Sequence, residues 1–243
     1  MRVAAIHRLY GYLDFTAELE STLVIPVATE LARTRAGFAV PDEMCRDAFK
    51  IVTDEAYHAQ FSDDLIHQLG ARTDLPHHRR TPAFFSTLAL LEEQLDPAMR
   101  TLCPMSFAIC SETLISSILT ALPQDTRLLP AIRKSVRDHA QDEGRHNAYF
   151  RDVLHRFLPG LTSHQRRVVG QLLPRAILAF LQPDFALIQL GLVSAGLSPA
   201  QAAEVVVDCY PEEEVRESCR RSASVTLRFT VATPRAFPPL ARQ

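Results

Sequence analysis

The chain has 243 residues, 47% of them hydrophobic and 22% charged, with a formal net charge of -2. This is a globular mixture with ample material for a core, and it lacks the basic excess that nucleic acid or an anionic membrane would recognise. Five cysteines, Cys45, Cys103, Cys110, Cys209 and Cys219, are odd in number and show no CxxC spacing, which argues against a disulfide framework or a zinc-thiolate site and fits a cytoplasmic setting.

Residues 1–14 carry scattered polar side chains and no apolar run of the signal-peptide kind. A first helix is expected from Asp14, as N-cap, to near Gly37. A second is expected from Asp42, an N-cap after Pro41, to Gly70 as the residue past its end. Residues 71–81 are polar and basic and read as a loop in which His77, His78, Arg79 and Arg80 are solvated. A third helical region over 82–121 should break around Pro97 and Pro104, with Glu92 and Glu93 exposed. A fourth helix runs from Pro130 to Phe157 and stops before Pro159-Gly160. Helical patches follow at 165–182, 183–194, 199–209 with Ser198 as N-cap, and 212–233, ahead of an irregular tail. The most apolar stretch, 172–197, is interrupted by Pro174, Arg175, Pro183 and Asp184. A membrane span needs about 20 mostly apolar residues, so buried helices are the expectation. Helical period dominates from about residue 14 onward. The expected fold is all-α, a ferritin-like helical bundle in one domain over 1–243, with ligand helices within 14–158 and accessory helices within 163–233.

Chemistry shows where polar residues occupy an apolar stripe. On the fourth helix, Ile132, Val136, His139, Glu143, His146, Phe150, Val153 and Phe157 alternate spacings of four and three and trace one face. On the second, Ala48, Ile51, Glu55, His58, Ser62, Leu65 and Leu69 do the same. Unpaired carboxylates in a helical core cost several kcal/mol each, a cost that divalent metals remove. Two helices each carrying Glu-x-x-His are the expected signature of a dinuclear iron or manganese site, and two further helices should each supply a Glu. Glu112 lies on a stripe with Met105, Ala108, Ile109, Ile115 and Leu119; Glu20 lies with Leu13, Ala17, Leu23, Val24, Val27 and Leu31. Glu18 is the rival on the first helix, but its neighbours one turn away are Asp14, Ser21 and Thr22. Asp54 and Asp142 each precede the Glu of a Glu-x-x-His pair, where a carboxylate could accept the second imidazole N–H of a ligand histidine. The alternative for the whole set is a series of helix-face salt bridges, which leaves the continuing apolar flanks unexplained.

The segment His139, Ala140, Gln141, Asp142, Glu143, Gly144, Arg145, His146 reads His-x-x-x-Glu-x-x-His. It resembles the last ligand helix of the p-aminobenzoate N-oxygenase (AurF-type) di-iron family, and the motifs that carry the resemblance lie within about residues 10 to 160. By position it implies Glu20, Glu55, His58, Glu112, Glu143 and His146 as metal ligands, with His139 as a third histidine. Family members are longer ahead of the first ligand helix. The resemblance further implies two iron ions per chain, or manganese with iron, whose ligand preferences overlap. It implies an external electron donor, O2 and a small organic substrate, with an aryl amine oxidised at nitrogen as the first expectation. C–H hydroxylation or desaturation on the same site, and a ferroxidase or iron-binding protein, are the alternatives. A second copy of the chain is a candidate partner; nucleic acid and membrane are not expected.

Overall fold

The computed structural model describes residues 2–119, 122–124, 126 and 129–231, and among these no strand occurs. Ten α-helices follow in order: α1 (Arg2–Leu19), α2 (Ile25–Ala32), α3 (Asp42–Thr73), α4 (Ala83–Glu93), α5 (Leu102–Leu119), α6 (Pro130–Gly160), α7 (Ser163–Leu181), α8 (Phe185–Ser194), α9 (Pro199–Cys209) and α10 (Glu212–Val231). A π-helical turn, Glu20–Val24, joins α1 to α2 into one continuous rod. That rod packs with α3, and α5 with α6, while α3 also touches α6. These four rods surround a core led by Phe107, Phe150, Phe157, Leu19, Leu23, Leu31, Ile109 and Leu114. The accessory helices cover its flanks: α7 against α5 and α4, α8 against α1, and α9 against α8.

Several boundaries differ from expectation. The first helix begins at Arg2, not Asp14. Asp14 is an interior residue whose carboxylate is taken by His77, 2.6 Å away, and the turns before it bury Tyr10 and Leu13 with Ile66. Asp42 is the first helical residue behind Pro41, which supplies no side-chain cap. Gly70 lies inside α3, which ends instead at Asp74 in the left-handed region with φ 53°, a conformation a short polar side chain tolerates. The break at Pro97 occurs, as a separate 3-10 turn, Pro97–Met99. Pro104 does not break α5, because it sits in the first turn, where no intrahelical partner awaits its N–H. Pro159 lies within the last turn of α6, where the neighbouring Phe157, Leu158 and Leu161 are buried. Pro174 is likewise absorbed in α7. An interior proline costs about 3 kcal/mol, and burial of Leu172, Leu173, Ala176 and Ile177 around it exceeds that.

The apolar stretch divides into two behaviours. Ser163–Ser194 is long and apolar enough to cross a membrane by length and composition, but the helix is interrupted between Leu181 and Phe185. α7 buries one face as expected; α8 is only half-buried, with Gly191 its one buried residue. Ser198 caps α9 through a reciprocal capping box with Gln201, and Thr162 does the same for α7 with Gln165. The tail after residue 231 lies outside the described residues.

Candidate metal centre

Glu20, Glu55, Glu112 and Glu143 have no exposure, and His58, His139 and His146 are 1% exposed. All seven converge at the middle of the bundle. Glu20, His58, His139 and Glu143 offer ligand atoms within 4.8 Å of one another, and so do Glu55, Glu112, Glu143 and His146. Glu143 belongs to both clusters, which places it between two adjacent cation positions. The four rods that carry these seven residues are the ones the sequence indicated, and His139 sits beside His58 with ring centroids 4.2 Å apart. Glu18 takes no part in either cluster.

Glu20 heads the π-helical turn, in which the Ile25 N–H reaches back to the Glu20 carbonyl. The cause lies in Pro26. It has no N–H to donate, and in an α-helix its ring would strike the carbonyl four residues earlier; a wider turn avoids the clash. The extra residue keeps Glu20, Leu23 and Val24 all buried. Sequence periodicity missed this turn, although a proline inside a continuous apolar stripe was its available signal.

Two outer contacts cross between helices. His58 of α3 points Nδ1 inward, 2.8 Å from Glu55 Oε2, and places Nε2 3.2 Å from Asp142 of α6. His146 of α6 points Nδ1 inward, 2.8 Å from Glu55 Oε1, and places Nε2 3.3 Å from Asp54 of α3. Each aspartate of the repeated Asp-Glu-x-x-His therefore meets the histidine of the other copy. An Nε2–H donated outward leaves the Nδ1 lone pair facing the centre. His139 is reversed: its Nε2 faces Glu143 Oε1 at 2.9 Å, and its Nδ1 lies 3.3 Å from the Tyr12 hydroxyl. Tyr12, eight residues before Glu20, carried no signal in the sequence.

The donor set suits a pair of cations. Beyond the Glu55 carboxyl beside Glu20 and the Ser111 hydroxyl beside Glu112, no hydrogen-bond partner reaches the carboxylate oxygens of Glu20 or Glu112. Burial, then the charges of the neighbouring glutamates, pushes both carboxyls well above the usual range. Glu143 is held down to about 2: burial opposes this, and hydrogen bonds from His139 and His146 outweigh it. For His146 burial is likewise outweighed, by Glu143 and Glu55, and its pKa rises to about 11. Four carboxyl groups and three imidazoles gathered this closely are a donor set whose charge two divalent cations would neutralise. Carboxylate with imidazole and no thiolate suits iron or manganese. The cysteines are free and four of the five are buried; burial raises the Cys103, Cys110 and Cys219 thiols, and that of Cys103 to about 12.

The basic loop differs from its expected form. His77 is held by Asp14 and stacks near Tyr10, with ring centroids 5.0 Å apart, and so it is not solvated. Arg79 pairs with Asp63 at the surface.

A family model described as p-aminobenzoate N-oxygenase AurF matches residues 3–232. The chain belongs to this family. The match extends past the motif-bearing region and takes in the accessory helices as well. A curated relative, the 4-aminobenzoate N-oxygenase of Streptomyces thioluteus, is 23% identical over 160 residues, which cover 65% of this chain and 47% of the relative. The chain spans about half the length of that relative.

Proposed function

We propose that the chain, read as one helical domain over residues 1–243, is an O2-dependent oxidoreductase that oxidises a small amine, first an aryl amine, at nitrogen. The observation that carries this reading is the convergence of four glutamates and three histidines, with no exposure above 1%, in a chain of the N-oxygenase family. Glu20, His58 and His139 would hold one metal and Glu55, Glu112 and His146 the other, with Glu143 between them. Two iron ions bound there and reduced by an external donor would supply the oxidising chemistry that side chains lack.

The chain's own residues do the rest. Asp54 and Asp142 fix the tautomers and ring planes of His146 and His58. Leu23, Val24, Ile109, Ile115, Val136 and Phe150, buried on the same helices, surround these residues with core that excludes bulk water. The carboxylates and imidazoles lie within proton-sharing distance of one another and can hold the protons the reaction consumes. Oxidation of an amine to a hydroxylamine forms one N–O bond from O2 and releases the second oxygen as water, using two electrons and two protons.

The test begins with anaerobic ferrous loading and metal analysis, which should approach two equivalents per folded chain. The loaded, reduced protein is then exposed to O2 with a panel of aryl and alkyl amines and hydrocarbon substrates. Hydroxylamine, nitroso or nitro products support the reading. Oxidation confined to carbon would make the chain a hydroxylase or desaturase on the same ligands, and iron uptake without an organic product would make it a ferroxidase.

A further inference from the structure

Outside the metal cluster, a cavity of about 230 Å³ lies between α1, α4, α7 and α8. Tyr12, Phe15, Phe84, Phe180 and Leu187 line it, together with the exposed Arg80. Three of these rings pack edge to face: Phe15 with Phe84 at 5.8 Å, Phe15 with Phe180 at 5.7 Å, and Phe84 with Phe180 at 5.7 Å. Such walls suit one flat aromatic ring, because edge-to-face and offset contacts favour aromatic occupants over aliphatic ones of equal area. The two acids of the lining are already engaged, Asp14 by His77 and Asp184 by the backbone N–H groups of Leu187 and Ala83.

Tyr12 belongs to both this cavity and the metal cluster. Its ring lines the cavity, and its hydroxyl lies 3.3 Å from His139 Nδ1. The other two histidines of the cluster are held from outside by carboxylates on facing helices; only His139 is held by a neutral group that a cavity occupant can touch.

We propose that Tyr12 is a positioning residue that fixes the His139 ring and makes the coordination of His139 respond to an aromatic molecule in this cavity. With Nδ1–H donated to the Tyr12 oxygen, the Nε2 lone pair faces the metal position. If the phenol instead turned its own proton to Nδ1, Nε2 would carry the hydrogen and could not ligate. An occupant that displaces the Tyr12 hydroxyl therefore loosens the third histidine, and of the three only that one. The choice of an aryl amine as occupant rests on the N-oxygenase reading; the role of Tyr12 does not.

The experiment uses the full chain loaded with zinc, which is redox-inert, with histidines labelled with nitrogen-15 and His139 assigned by loss of its signals in His139→Ala. The expected result is a proton on Nδ1 and none on Nε2. In Tyr12→Phe, at unchanged helix content, the slowly exchanging Nδ1 proton should disappear and both ring nitrogens should shift. Aniline should move the wild-type His139 signals. In Tyr12→Phe it should still bind, by saturation transfer from its own resonances, yet leave those signals in place. Ala179→Phe, which adds a ring to the lining of the cavity, should show wild-type signals without aniline and no response to it. A proton on Nε2, an unchanged spectrum in Tyr12→Phe, a response that survives in that variant, or no binding of aniline to the wild type would overturn the inference. Because zinc performs no oxidation, failure of the N-oxygenase reading appears separately, as absent amine oxidation in the iron-loaded protein.

Discussion

Glu18 and Glu20 are two residues apart on one rod and differ in everything that matters for a metal. Glu20 is fully buried and its carboxylate has no hydrogen-bond partner beyond the neighbouring Glu55, while Glu18 is half-buried and takes part in neither ligand cluster. Removing Glu20 takes away both a ligand and a costly buried acid. Glu20→Ala should therefore lower metal occupancy well below the wild type while the metal-free chain folds as well or better. Glu18→Ala should keep full occupancy and change stability by about 0.5 kcal/mol or less, as surface substitutions do. Metal analysis after gel filtration and thermal melts of the chelated variants check both halves, and equal occupancy in the two variants would refute the assignment.

Among the elements, the rod formed by α1, the π-helical turn and α2 has the most specific local cause. Pro26 forces the wide turn, and the wide turn presents Glu20. Pro26→Ala should let this stretch relax toward an α-helix, stabilising the metal-free chain by about 1–3 kcal/mol as an interior proline is removed while weakening metal binding. Urea titration of the chelated protein beside a metal-affinity measurement would show the two effects moving in opposite directions; parallel movement would rule this account out. The element scale also shows what the sequence could and could not disclose. The stripes on α3, α5 and α6 were legible because a 3.6-residue apolar period that turns polar only at its centre marks a buried site on a core-facing helix. The start of α1 was not. Asp14 reads as an N-cap until the fold brings His77, 63 residues away in sequence, against it. The crossed pairing of Asp54 with His146 and Asp142 with His58 was half legible: the role of the aspartates followed from the motif, but their partners depended on how α3 and α6 face each other. Tyr12 depended wholly on tertiary packing.

For the whole molecule, the centre is a concentration of ionisable groups inside a core that would otherwise be apolar, so metal-free stability should depend on pH in a particular sense. Glu20, Glu112, His58 and His146 all have raised pKa values in the folded chain, against ordinary values of 4.5 for the glutamates and 6.5 for the histidines. A group raised on folding contributes stability that is complete below its unfolded value and is lost as pH rises through its folded value. Glu143, lowered to about 2, works in the opposite sense and only on the acid side, below its ordinary 4.5. The chelated chain should therefore lose stability steadily from about pH 6 to pH 9, a window that lies above the unfolded glutamate value, spans the unfolded histidine value and stays below the His146 value of about 11. Divalent metal replaces those protons, so loading near neutrality should release protons into a weak buffer and remove most of the slope. Free metal at about a hundred times its dissociation constant should add about 2.7 kcal/mol, which for a chain of this size corresponds to a melting increase of about 5–10 °C. Melting the chelated and metal-loaded protein at intervals across that pH range measures all of this together. A chelated chain whose stability is flat or rising from pH 6 to pH 9, or a melting temperature that metal does not move, would show that protons and metal do not compete for the same seven side chains.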